Sequence, residues 1–319
     1  MKTQLIIHPD ELTKSHLQNL RASGADILGI HPTGGITAEK SLAELVSSLE
    51  NEKFRLLVDY ARDLGFEIEY ELHAAGYLMP RELFSDHPEY FRMNKNGERT
   101  SDFNFCPSCE DAILLYAERA ASLVKKLYRS NPRYYLWMDD NKDVFCHCPK
   151  CKHLTPSDQQ LIVQNRVAKR LREENPHARV AYLAYFECIE PPRTVKPDEG
   201  VFLEYAPFEK YTAKGDDAPE LIKKEQEALL PLIKVFGRAD FKILEYWYDN
   251  SMLSSWKKPP KRFALNKAEL KADLDYYKSL SPDTIASFAC FLGEDYTEIY
   301  GKVDFSDFPS FVNNCLHTK

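Results

Sequence analysis

Two adjacent carboxylates, Asp139 and Asp140, stand directly after the hydrophobic run Tyr134 to Met138, which has the pattern of a buried strand. In parallel α/β folds, reacting groups gather where the strands end at their carboxyl side, so an acid pair at this place predicts a catalytic site. Acid pairs in loops also cap helices or face water, and this second interpretation stays open on spacing alone.

Cysteines near this acid pair have the spacing of a metal site. Cys146, Cys148 and Cys151 form a Cys-x-Cys-x-x-Cys trio, and such thiolates bind tetrahedral zinc together with a fourth ligand. Cys106 and Cys109 lie in the preceding loop, which we expect to neighbour the trio, and we take Cys106 as the fourth ligand. The spacing predicts one structural zinc ion, because thiolate-rich sites are usually closed to catalysis; thiols without metal are the alternative.

Polar and aromatic side chains also follow the other predicted strands. They are His31, Glu71, His73, Tyr185, Glu204, Tyr205, Glu245, Trp247, Asp249 and Asn250. Strand-end side chains converge on one rim of a closed barrel, where we expect these to bind a substrate. Glycoside cleavage needs one carboxyl group that protonates the leaving oxygen and a second group that supplies or supports the nucleophile. Each acid taken alone is more simply an ion pair or an exposed charge, so the prediction depends on their convergence.

Eight apolar runs have the length and composition of strands. They are Gln4 to Ile7, Asp26 to Ile30, Glu67 to Leu72, Tyr134 to Met138, Arg179 to Tyr185, Val201 to Tyr205, Lys242 to Tyr246 and Thr284 to Ala289. Six amphipathic helices are predicted between them, at Leu12 to Ala22, Glu52 to Leu64, Ala112 to Tyr128, Ser157 to Glu174, Ala218 to Phe236 and Lys267 to Leu280. Eight β/α units predict one α/β domain over residues 1–319, a (β/α)8 barrel of the TIM type.

Two segments depart from this regular alternation. The connection from Tyr185 to Val201 contains Pro191, Pro192 and Pro197, so we expect one outer helix to be missing or irregular. The stretch 74–109 is long and aromatic, which predicts an ordered functional loop over the barrel mouth. An open doubly wound sheet is the alternative fold, but no Gly-rich phosphate loop follows any strand to support it.

Composition restricts the class of partner. The chain of 319 residues has a net charge of −7 and no block of basic residues, which argues against nucleic acid and against an anionic membrane surface. The apolar patch Leu5 to Ile7 is too short for a signal-peptide core, so we expect a cytoplasmic protein whose cysteines are thiols or metal ligands. A carbohydrate is the expected ligand, and the sequence leaves the oligomeric state open.

Three segments resemble a known family. They are HPEYFRMNKNGERTSDFNFCPSC from His87, LWMDDNKDVFCHCPKC from Leu136 and VAYLAYFECIEPP from Val180. They are similar to an uncharacterised bacterial family of glycosidase-like barrel domains, found in proteins similar to α-glucuronidases or β-hexosaminidases. The similarity extends from about Ile27 to Tyr248. It implies a (β/α)8 fold and a carbohydrate ligand without indicating which sugar.

The resemblance leaves two mechanisms for the acid pair. In hexosaminidase-like barrels one acid orients a substrate acetamido group that acts as the nucleophile, and its neighbour is the acid; Asp139 and Asp140 would take these two roles. In the large clan of retaining barrel glycosidases, Asp140 would be the acid/base and Glu245 the nucleophile. That clan has Asn-Glu at strand four, so the Asp-Asp pair favours the first mechanism on an N-acetylhexosaminide. A barrel that binds carbohydrate without cleaving it is the third possibility.

Overall fold

Eight parallel strands close into a barrel in chain order, the last strand pairing with the first. The computed structural model describes residues 1–139 and 141–313 of the chain. The strands are β1 (Lys2–Ile7), β2 (Ile27–Ile30), β3 (Glu67–His73), β4 (Arg133–Trp137), β5 (Arg179–Ala184), β6 (Val201–Tyr205), β7 (Lys242–Glu245) and β8 (Thr284–Phe288). The predicted (β/α)8 barrel is therefore confirmed, and the predicted strands differ from these only in their end residues.

Helices surround the barrel. They are α1 (Lys14–Ala22), α2 (Ala38–Ser48), α3 (Glu52–Asp63), α4 (Ala75–Leu78), α5 (Glu110–Val124), α6 (Pro156–Glu174), α7 (Glu209–Thr212), α8 (Ala218–Phe236), α9 (Lys267–Leu280), α10 (Glu294–Tyr300) and α11 (Asp307–Asn313). All six predicted helices are present. The sequence analysis did not predict α2, although Ala38, Leu42, Leu45 and Val46 give it a buried face.

The connection between β5 and β6 contains a single 3-10 turn, Phe186–Cys188, in place of an outer helix. This agrees with the prediction of a missing helix. Asp158, in the first turn of α6, holds the connection by accepting hydrogen bonds at Oδ1 from three successive backbone N–H groups, those of Arg193, Thr194 and Val195, at 2.8–3.0 Å. Its other oxygen accepts from the N–H and hydroxyl of Thr155, which caps α6. One carboxylate therefore fixes both a helix start and the helix-free connection.

The long segment 74–109 packs beside the loop that follows β4. It contains short helical turns and two antiparallel bridges, Phe91 with Phe105 and Met93 with Arg99. The His147 N–H donates to the Met93 carbonyl at 2.8 Å, which joins the two loops. The segment contributes no described residue to the large cavity at the strand ends. The position of this segment over the barrel mouth stays a prediction.

Candidate functional site

A cavity of about 600 Å³ opens at the carboxyl ends of the strands. Three histidines at the ends of the first three strands, His8, His31 and His73, line one side of it. Inward-facing residues of a strand alternate with outward-facing ones, and these histidines continue the inward series of their strands. The site therefore lies where a (β/α)8 barrel positions side chains for binding or chemistry.

Each of the three imidazoles is fixed through its Nδ1 atom. His8 Nδ1 lies 2.8 Å from the His31 carbonyl oxygen, His31 Nδ1 lies 2.8 Å from the Glu71 carbonyl oxygen, and His73 Nδ1 lies 3.0 Å from the Met138 carbonyl oxygen. A carbonyl oxygen only accepts hydrogen bonds, so Nδ1 carries the proton in all three rings. In the neutral rings Nε2 is then a hydrogen-bond acceptor.

Aromatic side chains complete the wall beside the histidines. The Trp137 ring packs against His31 and His73, with centroid distances of 5.4 Å and 5.1 Å. Tyr246 and Phe288 stack on each other at 5.1 Å, and Phe288 also contacts His31 edge-on. Flat apolar rings next to hydrogen-bonding groups are the combination that binds a sugar ring by its faces and its hydroxyls.

Two acids lie at the cavity and its edge. Asp249 lines the cavity, and its Oδ1 accepts hydrogen bonds from the Ser251 N–H at 2.8 Å and the Ser251 hydroxyl at 2.6 Å. Burial raises the pKa of Asp249, against the lowering effect of these two hydrogen bonds. Asp139 lies in a small adjoining recess that shares Leu183 and Tyr185 with the cavity. Both acids are therefore close to any ligand held by the aromatic wall.

Arg81 and Asn104 fix the position of Asp139 from the segment between β3 and α5. Arg81 Nη2 lies 3.1 Å from Asp139 Oδ2, and the Asp139 N–H donates to Asn104 Oδ1 at 2.9 Å. The ion pair with Arg81 favours the charged carboxylate. Asp140, the other predicted acid, lies outside the described residues.

Two predicted substrate-binding acids, Glu71 and Glu204, point into the barrel but lie one layer below the cavity. Lys242 Nζ lies 2.6 Å from Glu71 Oε1 and 3.0 Å from Glu204 Oε1, and all three side chains are completely buried. Gln4 Nε2 also donates to Glu71 Oε1, at 2.6 Å. These acids pair with a buried lysine, and their contact with substrate stays a prediction.

Glu245, predicted as the nucleophile of the second mechanism, points away from the cavity. Its strand neighbours Leu244 and Tyr246 line the cavity, and alternation turns Glu245 toward the surrounding helices. Its carboxylate accepts hydrogen bonds from Lys210 at 2.8 Å, Tyr211 at 2.8 Å and Tyr277 at 2.5 Å. It is fully buried there, and burial raises its pKa. This arrangement gives Glu245 a packing role and no access to the cavity.

Three more predicted substrate-binding residues lie outside the cavity lining. Trp247 donates from Nε1 to Asp273 on α9 at 2.8 Å. The Tyr205 hydroxyl donates to the Glu225 carbonyl on α8 at 2.9 Å. Asn250 is completely buried and donates from Nδ2 to the Lys261 carbonyl at 2.9 Å. The first two side chains point outward and Asn250 is buried in the loop after β7, so none of the three lies in the cavity lining, and their contact with substrate stays a prediction.

The structure therefore brings together only part of the predicted set. His31, His73, Tyr185 and Asp249 line the cavity as expected. The sequence analysis missed His8, Trp137, Tyr246 and Phe288. His8 follows the first apolar run as His31 follows the second, so its position after a strand was an available signal.

The four predicted metal ligands form a buried cluster beside the recess that holds Asp139. The sulfur atoms of Cys106, Cys146, Cys148 and Cys151 all lie within 4.8 Å of one another, with Cys106 3.7 Å from Cys148 and 3.8 Å from Cys151. Sulfurs around a tetrahedral zinc ion, each about 2.3 Å from the metal, are about 3.8 Å apart. The spacing in the cluster fits a bound metal ion.

Polar groups around this cluster face its sulfur atoms. The Met93 N–H donates to Cys146 Sγ at 3.3 Å, and Arg99 Nη1 lies 4.0 Å from the same atom. The Ser108 hydroxyl lies 2.9 Å from Cys151 Sγ. Hydrogen-bond donors and a cation offset the negative charge of a tetrathiolate site.

Residues 50–226 match the model of a family described as a domain of unknown function, DUF4838. The chain belongs to this family. The matched range of this DUF4838 chain contains Asp139, the cysteine cluster and Tyr185. Among curated proteins, none matches the chain.

Solved structures of low sequence identity share the barrel. Endo-glycoceramidase II from Rhodococcus sp. has 9% identity and a TM-score of 0.55 over 90% of this chain and 72% of its own. A β-galactosidase from Marinomonas ef1 has 11% identity and a TM-score of 0.51 over 90% of this chain and 54% of its own. A Bacteroides ovatus GH5 xyloglucanase has 12% identity and a TM-score of 0.50 over 96% of this chain and 68% of its own. At these identities the likeness establishes the fold of the DUF4838 chain.

No helix within the described residues has the length and apolar character needed to span a membrane.

Proposed function

We propose that the cavity binds a sugar unit of a glycoside and that the acids of the β4 loop hydrolyse its glycosidic bond. The observation that carries the proposal is the cavity itself, in which Trp137, Tyr246 and Phe288 stand beside three fixed imidazoles. Aromatic faces and oriented polar groups bind sugars by stacking and by hydrogen bonds. Asp139 lies in the adjoining recess, next in sequence to Asp140.

For the chemistry we propose the substrate-assisted mechanism on an N-acetylhexosaminide. Asp139 orients the 2-acetamido group, whose carbonyl oxygen attacks the anomeric carbon, and Asp140 protonates the leaving oxygen. The ion pair with Arg81 supports this role, because a charged carboxylate accepts a hydrogen bond from the acetamido N–H. The outward position of Glu245 removes support from the mechanism in which Glu245 is the nucleophile.

Hydrolysis of aryl glycosides tests this proposal. Aryl N-acetylglucosaminides, N-acetylgalactosaminides, glucosides and galactosides of both anomers would be compared, and we expect the N-acetylhexosaminides to be cleaved. Asp139→Ala should reduce kcat by roughly 100-fold or more. Asp143→Asn is the matched control, because Asp143 is an exposed acid of the same loop that pairs with Lys95.

The outcome also separates hydrolysis from simple binding. A protein that binds sugars but cleaves none of these glycosides would be a carbohydrate-binding barrel, and the catalytic assignment would be wrong. If glycosides with and without the acetamido group were cleaved equally fast, and Asp139→Ala kept full activity, the substrate-assisted mechanism would be rejected.

We further propose that the cysteine cluster holds one structural zinc ion that joins the segment between β3 and α5 to the loop after β4. The support is the spacing of four buried sulfurs contributed by two segments far apart in sequence. None of the seven described cysteines forms a disulfide, which suits a reducing compartment, and the cytoplasm remains our proposal for the location.

Elemental analysis tests the metal. Protein purified without chelator should contain about one zinc per chain, since a closed tetrathiolate site has high affinity. Cys106→Ser should lose the metal, whereas Cys109→Ser should keep it, because Cys109 lies outside the four-sulfur cluster. Wild-type protein that remains metal-free after zinc supplementation would reject the proposal.

A further inference from the structure

We infer that Trp256 and Ile36 form an outer subsite at the mouth of the cavity, which binds the second sugar ring of an oligosaccharide. This inference rests on the proposed function and specifies its substrate class: a glycan with one ring inside the cavity and the next ring on Trp256. Both side chains line the cavity. They belong to the loops after β7 and β2, which β8 and β1 separate around the barrel, so they reach the mouth from two sides.

The first observation is the exposure of these two apolar side chains. Trp256 is 64% exposed and Ile36 is 94% exposed, whereas the other two tryptophans, Trp137 and Trp247, are 2% and 7% exposed. Single exposed apolar side chains are ordinary on protein surfaces, but a pair that lines one cavity is the pattern of a ligand-binding groove. A ligand that covers the pair removes apolar area from water, which favours binding.

The second observation is the backbone conformation that presents Trp256. Ser255 and Trp256 have φ angles of 57° and 52°, in the left-handed region. Two successive residues other than Gly are unusual there, because the Cβ atom crowds the neighbouring carbonyl oxygen. Such conformations persist only where the surrounding structure holds them, and they cluster at binding sites.

Contacts on both sides of Trp256 hold this loop. The Trp256 N–H donates to the Ser251 carbonyl at 2.8 Å, which closes the turn. Lys258 pairs with Asp10 in the turn after β1 at 2.7 Å and with Asp295 on α10 at 3.0 Å. The indole is therefore held at the mouth before a ligand arrives, so binding loses little conformational entropy.

The chemistry of the mouth fits a sugar ring as the occupant. A cavity of about 600 Å³ lies within the range of roughly 300–1,000 Å³ that encloses drug-sized ligands, which are larger than one sugar ring. The inner aromatic side chains can take the first ring, which leaves the mouth for the second. Thr33 and Thr37 line the cavity on the same loop as Ile36 and offer hydroxyl groups. A sugar ring has an apolar face for Trp256 and hydroxyls for these threonines.

Direct binding tests the inference without turnover. Titrations at pH 7.5 would compare N-acetylglucosamine, galactose and glucose with thio-linked chitobiose, lactose and cellobiose, which resist hydrolysis. In at least one pair we expect the disaccharide to bind about tenfold or more tightly than the monosaccharide, because only the disaccharide reaches the exposed indole. The same disaccharide should protect tryptophan fluorescence from quenching by iodide, since Trp256 is the exposed tryptophan of the chain.

Two variants of Trp256 and one control locate the effect. Trp256→Ala should lower the disaccharide affinity to about that of the monosaccharide, and Trp256→Phe should recover part of the loss because its ring also stacks. Leu253→Ala is the matched control and should keep the wild-type affinities. Leu253 is 49% exposed on the same loop and lies outside the described lining of the cavity.

The outcomes separate the outer subsite from the proposed catalysis. Unchanged disaccharide affinity in Trp256→Ala would overturn the inference, as would equal affinity within every pair or no binding by any of these sugars. A wild-type dimer that Trp256→Ala converts to a monomer, with sugar affinity unchanged, would assign Trp256 to contact between copies and also overturn it. Disaccharide binding that protects Trp256, without hydrolysis of any glycoside, would leave the outer subsite intact and reject the proposed catalysis.

Discussion

The indole N–H of Trp137 donates a 2.7 Å hydrogen bond to Glu204 Oε2 inside the barrel. Glu204 in turn pairs with Lys242, which also binds Glu71. The Trp137 ring, which contacts His31 and His73 of the cavity, is therefore held in place by a completely buried ionic network. Side chains locked in this way keep the geometry of a binding site fixed before the ligand arrives.

Lys242→Met should strongly destabilise the protein. The substitution leaves Glu71 and Glu204 buried without their cation, and removal of one partner of a buried ion pair typically lowers the free energy of unfolding by about 3–5 kcal/mol. Urea denaturation measures the change. Lys271→Met is the control, because Lys271 lies on the exposed face of α9, paired with Asp275; we expect a change below about 0.5 kcal/mol there. Equal stability of the two variants would contradict the role of the network.

Asp158→Ala should loosen the helix-free connection between β5 and β6. Three backbone N–H groups and the Thr155 cap lose their acceptor, so we expect a loss of about 2–4 kcal/mol in the free energy of unfolding. Asp217→Ala is the matched control, since Asp217 precedes α8 without a side-chain capping bond. If Asp158→Ala lowered the free energy of unfolding no more than Asp217→Ala does, other contacts would hold the connection.

Asp158 also predicts a dependence of stability on pH. Burial would raise its pKa, but the hydrogen bonds from Thr194, Val195 and Thr155 outweigh burial and lower the pKa to about 2. A carboxyl group with a lowered folded-state pKa stabilises the fold above its unfolded pKa of about 4 and loses that contribution as pH falls toward 2. Thermal unfolding measured from pH 6 to pH 2 should therefore show a shallower decline in Asp158→Ala than in wild type. Parallel curves would contradict this linkage.

Removal of the proposed zinc ion should disturb the acid site as well as the cysteine cluster. Cys106 lies two residues after Asn104, which holds the Asp139 N–H. Treatment with a strong chelator should raise amide hydrogen exchange in residues 91–109 and 144–151, and it should lower glycoside turnover by about tenfold or more. Restoring zinc should reverse both effects. Exchange that rises only in helices remote from the cluster would indicate general unfolding instead.

Arg81→Ala should reduce turnover while leaving the fold intact. Arg81 pairs with Asp139 and is partly exposed, so its loss removes a charge partner from the acid site at small cost in stability. We expect kcat to fall by about tenfold or more and Arg81→Lys to recover part of it. Kinetics with an aryl N-acetylhexosaminide measure the effect, with Arg238→Ala on the exposed surface as the control. Unchanged kcat in Arg81→Ala would show that the ion pair has no part in catalysis.

The barrel could be predicted because the sequence features that indicate its strands are local. Apolar runs such as Val201 to Tyr205 mark a strand whichever strands it pairs with, and the spacing of Cys146, Cys148 and Cys151 marks a ligand set within one loop. These features are therefore available before any coordinates. The rule that neighbouring strands bring their loops together places both Cys106 and Cys109 near this trio, and the structure shows that Cys106 is the one within the cluster.

The direction of each side chain was harder to predict. Strands of a parallel barrel are buried on both faces, so an apolar run carries little alternation to show which residues point inward. Glu245 and Tyr246 end one predicted run and Trp247 follows it. Only the structure shows that Tyr246 faces the cavity while the other two face α9. An error of one residue in this assignment exchanges a substrate contact for a packing contact.

The four-cysteine cluster has a consequence for how these sequences can change over time. Its sulfurs are buried and come from two segments, so loss of any one cysteine leaves three buried thiols that lack a complete ligand set. Three thiols without the fourth ligand can no longer hold the segments together through a tetrahedral metal ion. The four positions should therefore be inherited as a set: relatives that lack one should lack all four, with apolar side chains filling the same space.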